Sequence, residues 1–192
     1  MVLSRKRLFI LGLITLFGFG SLGIGIISVF HDEPVAHTFT SGGAWYYQLL
    51  LGLELGVVAS LCMLWLLRMP FLKEPKEFFT NLIRQAKVQA PDIIFLSFAA
   101  GVGEEIFFRG AIQPYLGVWL TALIFVALHG YLNPFNLGMS MYGILMLIVS
   151  ALLGYWFQRY GIYAAMTAHF VIDLVLFLRF RYGSQTRPDE SG

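Results

Sequence analysis

Long apolar runs alternate with short polar stretches along this chain, and the runs have bilayer rather than core length. A helix needs about 20 apolar residues to cross a hydrocarbon layer of about 30 Å. The first run, Leu8 to about Phe30, follows Arg5, Lys6 and Arg7. The apolar region of a signal peptide is about 7–15 residues long. This run is longer and no small-residue cleavage site follows it, so it reads as an uncleaved first span. The stretch from His31 to Gly43 is polar and holds no Lys or Arg. A second span runs from about Ala44 to Leu67 and opens on Trp45, Tyr46 and Tyr47, residue types that anchor at a membrane interface. The third is expected over about Asp92 to Tyr115. Gly117 then marks a turn into a short fourth span, about Val118 to Leu132, closed by Asn133-Pro134. The fifth covers about Gly138 to Phe157 and the sixth about Ile162 to Leu178.

Residues 68–91 break this rhythm. Phe78, Phe79, Leu82, Ile83 and Ala86 share one helical face, and Lys76, Thr80, Arg84 and Lys87 lie mainly off it. Pro75 suits a first helical turn. A helix over about 75–89 is predicted to lie on the membrane surface, too polar to span. The fold class is therefore all-α: a polytopic membrane helix bundle of about six transmembrane helices plus one amphipathic surface helix. Residues 1–192 read as one integral membrane domain, without internal repeats, ending in a polar tail at 179–192.

Composition supports this picture. The chain is 58% hydrophobic and 12% charged, whereas a soluble domain carries about 25% charged residues. Net charge is only +2, and the position of the charges matters more. The N-terminus, the 68–91 connection and the tail hold 11 of the 13 Lys and Arg residues. By the positive-inside rule both termini and the surface helix are expected in the cytoplasm of a cell-membrane protein. The single cysteine, Cys62, excludes a disulfide framework within one chain. Nothing points to nucleic acid.

Seven ionisable residues interrupt the expected spans: Glu54, Glu104, Glu105, Arg109, His129, His169 and Asp173. Each such group at a bilayer centre costs about 2.5–3.5 kcal/mol on insertion scales. Glu54 stands alone in the second span and reads as a hydrogen bond to a neighbouring helix. The other six fall near the middle of spans three, four and six, and must be mutually satisfied or hydrated. Glu105 and Arg109 are four apart and can pair on one helix face. Glu104 lies about 100° away around the helix, is not neutralised by that pair, and is the residue expected to do chemistry. His169 and Asp173 share a face, as do Phe125 and His129. Ala99 and Gly103 form a small-x-x-x-small pair that admits a close neighbour. A hydrated cluster of acids and imidazoles inside a bundle is either a proton or ion path or a hydrolytic site.

Glu104-Glu105-x-x-x-Arg109, then Phe125-x-x-x-His129, then His169-x-x-x-Asp173, in this order on successive membrane helices, resembles the CPBP family of CAAX proteases and bacteriocin-processing enzymes (also called Abi). The resemblance covers about residues 90–178. It implies a glutamic intramembrane endopeptidase acting on a membrane-attached peptide or protein. Carried over by position, Glu104 would be the general base that activates water and His129 would orient that water. Glu105 would be held by Arg109, and His169 and Asp173 would steady the oxyanion. The third motif of the family ends in Asn or Asp, and this chain has Asp. His129, His169 and one Glu would also make a two-His, one-carboxylate set of the kind catalytic zinc uses. The resemblance favours the metal-free mechanism, so no cofactor is expected. The competing readings are a proton-coupled transporter and a catalytically silent immunity or scaffold protein.

Overall fold

The computed structural model describes residues 4–133 and 135–183, and the regular structure among them is helical. Helix α1 runs Arg5–Phe30 with a π-helical turn, Ile14–Phe19, at its middle. A short helix, α2 (Val35–Thr40), occupies part of the stretch expected to be a polar loop. Then come α3 (Trp45–Leu66), a 3-10 turn at Pro70–Leu72, and α4 (Lys73–Gln85). Helix α5 (Ala90–Glu105) begins on a capping box in which Gln89 and Asp92 satisfy each other's backbone N–H. It passes through a second π turn, Ile106–Ile112, into α6 (Gln113–Leu128). Helices α7 (Leu137–Tyr160) and α8 (Ile162–Tyr182) complete the bundle. The tail expected from residue 179 is helical as far as Tyr182. Residues 184–192 and Pro134, the proline of the expected break, lie outside the described residues.

Five helices among the described residues are long and apolar enough to cross a membrane: Arg5–Phe30, Trp45–Leu66, Ala90–Leu128, Leu137–Tyr160 and Ile162–Tyr182. The chain is a multi-pass membrane helix bundle. The third and fourth expected spans are the two limbs of one of these runs, Ala90–Leu128. This run is folded back on itself at Gly117, whose backbone (φ 71°, ψ 173°) is open essentially to glycine alone. The reversal is evident from the rings of Phe108 and Phe125, whose centroids are 5.1 Å apart. Along a straight helix that sequence separation would place them about 25 Å apart. The returning limb after Gly117 is about 17 Å long, too short to cross alone. The chain beyond it completes the passage, because Asn136 donates to Glu74 of α4 at 2.6 Å.

The contacts at the two ends fix the topology. At one end Arg5 pairs with Asp92 at 2.8 Å, Arg181 Nε donates to the Val88 carbonyl at 2.7 Å, and Arg84 donates to the Gly183 carbonyl. At the other end Tyr115 donates to the Phe30 carbonyl, and Gln48 Nε2 donates to the carbonyls of Ser41 and Gly43 at 2.9 and 3.0 Å. Residues 5 and 182 therefore lie at the same end as α4. Exposed aromatics ring both ends: Trp45, Tyr46, Tyr115 and Trp119 at one, Trp65, Phe71 and Tyr182 at the other.

Small residues bring the helices together. Gly52 and Gly56 of α3 lie against Ala164 and Ala168 of α8, the close packing that lipid, which does not drive helices together hydrophobically, requires. Gly103 faces the backbone of Thr15 and Leu16, so α1 rests directly on α5. Helix α4 differs from expectation in what covers its apolar face. Ile83 is buried and Phe79 packs against Tyr142 and Phe180, with ring centroids 5.1 and 5.7 Å away. The face that periodicity identifies is turned into the end of the bundle, and only Phe78 points outward.

Candidate active site

The hairpin at Gly117 returns His129 to the depth of Glu104, and α8 brings His169 and Asp173 to the same level. Glu104 and Glu105 close α5, Arg109 lies in the π turn, and His129 caps the end of α6. All six residues singled out in the sequence thus meet in one place. π turns recur at functional sites, and this one carries the only guanidinium of the cluster.

Glu105 is the hub of the buried half. Its Oε2 lies 3.2 Å from Arg109 Nε, and its Oε1 accepts from His169 Nδ1 at 2.7 Å. Arg109 Nη2 donates to both the carbonyl and the hydroxyl of Ser150 on α7, at 3.1 and 2.9 Å. The guanidinium also lies 5.6 Å from the centre of the Phe125 ring, within cation–π range. Glu105 and Arg109 are fully buried. A lone ion here would be severely penalised; a pair with further hydrogen bonds is tolerated.

Glu104 has different neighbours. Its Oε2 is 3.8 Å from His129 Nε2 and 3.9 Å from His169 Nε2. These gaps exceed a direct hydrogen bond and match groups that share a water. His129 Nδ1 points at the Phe125 carbonyl at 2.8 Å. A carbonyl only accepts, so Nδ1 holds a proton and the ring turns its Nε2 toward Glu104. His169 Nδ1 is bound by Glu105, which leaves the other ring nitrogen, Nε2, facing Glu104 and, at 3.7 Å, Asp173 Oδ2.

These four side chains, Glu104, His129, His169 and Asp173, line a cavity of about 290 Å³. Glu105 and Arg109 are not on its surface; they stand behind it. The rest of the wall is apolar and aromatic, with Leu11 and Thr15 of α1, Tyr131, Tyr142 and Phe180. Helix α4 roofs it with Phe79, Leu82 and Ile83. Glu54 is not part of this site and is exposed on α3. Among the described residues no group of three or more His, Cys, Asp or Glu side chains is arranged to hold a metal ion.

Sequence reasoning did not find Ser150 or the two tyrosines. The fifth expected span holds no ionisable residue inside the membrane, so no titratable group drew attention to it. A hydroxyl in that apolar run was the available signal. Tyr131 and Tyr142 were not singled out, and it is the fold that turns them onto the cavity.

Residues 86–175 match the family described as Rce1-like, type II CAAX prenyl endopeptidase Rce1-like. The matched segment contains all three motifs. The chain is also 38% identical over 109 residues to the uncharacterized protein YpbD of Bacillus subtilis (strain 168), an alignment covering 55% of each chain. The chain thus spans about half the length of that curated relative. No solved structure matches. The three motifs lie inside the matched segment, in order, and converge on one cavity, so over residues 86–175 the chain is similar to the Rce1-like, type II CAAX prenyl endopeptidase family.

Proposed function

We propose that this chain is an intramembrane endopeptidase that hydrolyses a peptide bond in a membrane-attached substrate, with water activated by Glu104. The observation that carries the reading is the Glu104 carboxylate: unbonded, facing a cavity, and flanked at 3.8 and 3.9 Å by two imidazole Nε2 atoms. A water held between Glu104 and His129 gives its proton to Glu104 as its oxygen attacks the scissile carbonyl carbon. The oxyanion that forms accepts a hydrogen bond from the Nε2–H of His169, whose ring carries a proton on both nitrogens between Glu105 and Asp173 and is locked by Glu105. The proton on Glu104 then passes to the amide nitrogen, the C–N bond breaks, and amine and carboxylic acid leave. Asp173 polarises His169 from the opposite side. Glu105 and Arg109, behind the cavity wall, hold this geometry together with Ser150. No step requires a metal.

The family description names CAAX prenyl endopeptidases, and a lipid-modified C-terminal peptide is one substrate that would fit the apolar cavity. An unmodified leader or sorting peptide is another. The basic end of the bundle, with α4, faces the cytoplasm of the cell membrane by the positive-inside rule. The test compares wild type with Glu104→Ala and His129→Ala in the native host by membrane proteomics of peptide termini. Termini present in wild type and absent from both variants establish proteolysis and name the substrate. Identical termini, with both variants inserted at normal levels, reject it. Purified protein separates the metal-dependent mechanism: activity lost to a chelator and restored by zinc would replace the glutamic one.

A further inference from the structure

Glu54 is the one acid of the apolar spans that the site leaves unexplained. It lies on α3 nine residues after Trp45 and eleven before Trp65, both exposed aromatics of the interfacial rings. At 1.5 Å per residue this is about 14 and 17 Å from the two rings, close to the bilayer midplane. Its side chain is exposed, and it makes no hydrogen bond or ion pair among the described residues. The inner face of α3, through Gly52, Gly56 and Ala59, is filled by α8 and its neighbours. Glu54 points the other way, toward lipid, where an unpartnered acid costs about 2.5–3.5 kcal/mol.

The surroundings of Glu54 have a register. Tyr47, Leu50, Val57 and Leu61 are all exposed, and with Glu54 they fall at intervals of three and four residues. That is the seam of a left-handed helix pair, with one polar residue at its centre. A single polar group at such a position specifies register and oligomeric state. We infer that the outer face of α3 is a homodimer interface, in which Glu54 of one copy meets Glu54 of the second across a two-fold axis normal to the membrane. Two copies inserted in the same direction carry Glu54 at the same depth, and an isologous contact sets it against itself. Facing carboxyls satisfy one another by sharing protons, as paired acids do elsewhere. No residue of α3 lines the cavity, so the pairing leaves the site and its roof free.

The experiment uses the full chain in liposomes, counting subunits by single-molecule photobleaching over a range of protein-to-lipid ratios. Wild type should shift from monomer to dimer as the ratio rises. Glu54→Gln, which can still donate and accept, should dimerise within threefold of wild type. Glu54→Leu should dimerise at least tenfold more weakly, with an unchanged or higher unfolding midpoint showing that the fold survives. In a Cys62→Ser background, Leu61→Cys should form an oxidative crosslink between copies and Leu49→Cys, on another side of α3, should not. A wild-type monomer at every ratio would overturn the inference. So would dimerisation of Glu54→Leu equal to wild type, or a crosslink at position 49 instead of 61. Association only with a different membrane protein bearing a basic residue at mid-span would also overturn it.

Discussion

Glu104 and Glu105 are neighbours in sequence with opposite surroundings, and their substitutions should part accordingly. Glu104→Gln removes the proposed base while leaving every buried pair intact. Turnover should fall by at least about 10²-fold with the unfolding midpoint unchanged, read by peptide cleavage and by unfolding in mixed micelles. Arg109→Met strands the Glu105 carboxylate at zero exposure and should cost about 3–5 kcal/mol of stability. Ser150→Ala removes one hydrogen bond to the guanidinium, so its cost should be nearer 1.5–3 kcal/mol. An Arg109→Met variant as stable as wild type would mean that Glu105 is neutralised by another route. At this scale the sequence was partly readable. The Glu105–Arg109 pair follows from helix spacing alone. The bonds from His169 to Glu105 and from Arg109 to Ser150 do not, because they depend on how α8 and α7 are rotated against α5.

Between elements, glycines decide how closely helices approach, and each makes its own prediction. A methyl on Gly103 would strike the carbonyl of Thr15 and the Cα of Leu16, both backbone. Gly103→Ala must therefore push α1 away from α5, at about 1–3 kcal/mol. Since α1 forms a cavity wall, turnover should fall with it. Gly20 has nothing within 4 Å of an added methyl, so Gly20→Ala in the same helix should be silent in both assays. Gly117→Ala forces an L side chain into a glycine-only conformation and should cost about 1–3 kcal/mol. The turn at Gly117 was legible from its position between two apolar runs. The π turns were not: a shift from i→i−4 to i→i−5 bonding leaves no mark on apolar periodicity. The face of α4 was also legible, but periodicity says only that a stripe is apolar, not whether lipid or protein covers it.

Across the whole molecule, the end contacts set Ser41 and Lys73 on opposite sides of the membrane. In a Cys62→Ser background, Lys73→Cys should react with an impermeant thiol reagent only when that reagent reaches the cytoplasm, and Ser41→Cys only from outside. The reverse pattern would invert the orientation drawn from charge while leaving the fold untouched. The bundle also treats the hairpin at Gly117 as a ruler. Glu104 stands thirteen positions before the glycine and His129 twelve after it. The longer arm contains the π turn, which accommodates an extra residue with little added length, so the arms reach equal depth. A single-residue insertion in either arm would slide one group about 1.5 Å along the axis and swing it about 100° around. Descendants of this sequence can therefore change letters along both arms outside the site residues, yet can change their length only in compensating pairs.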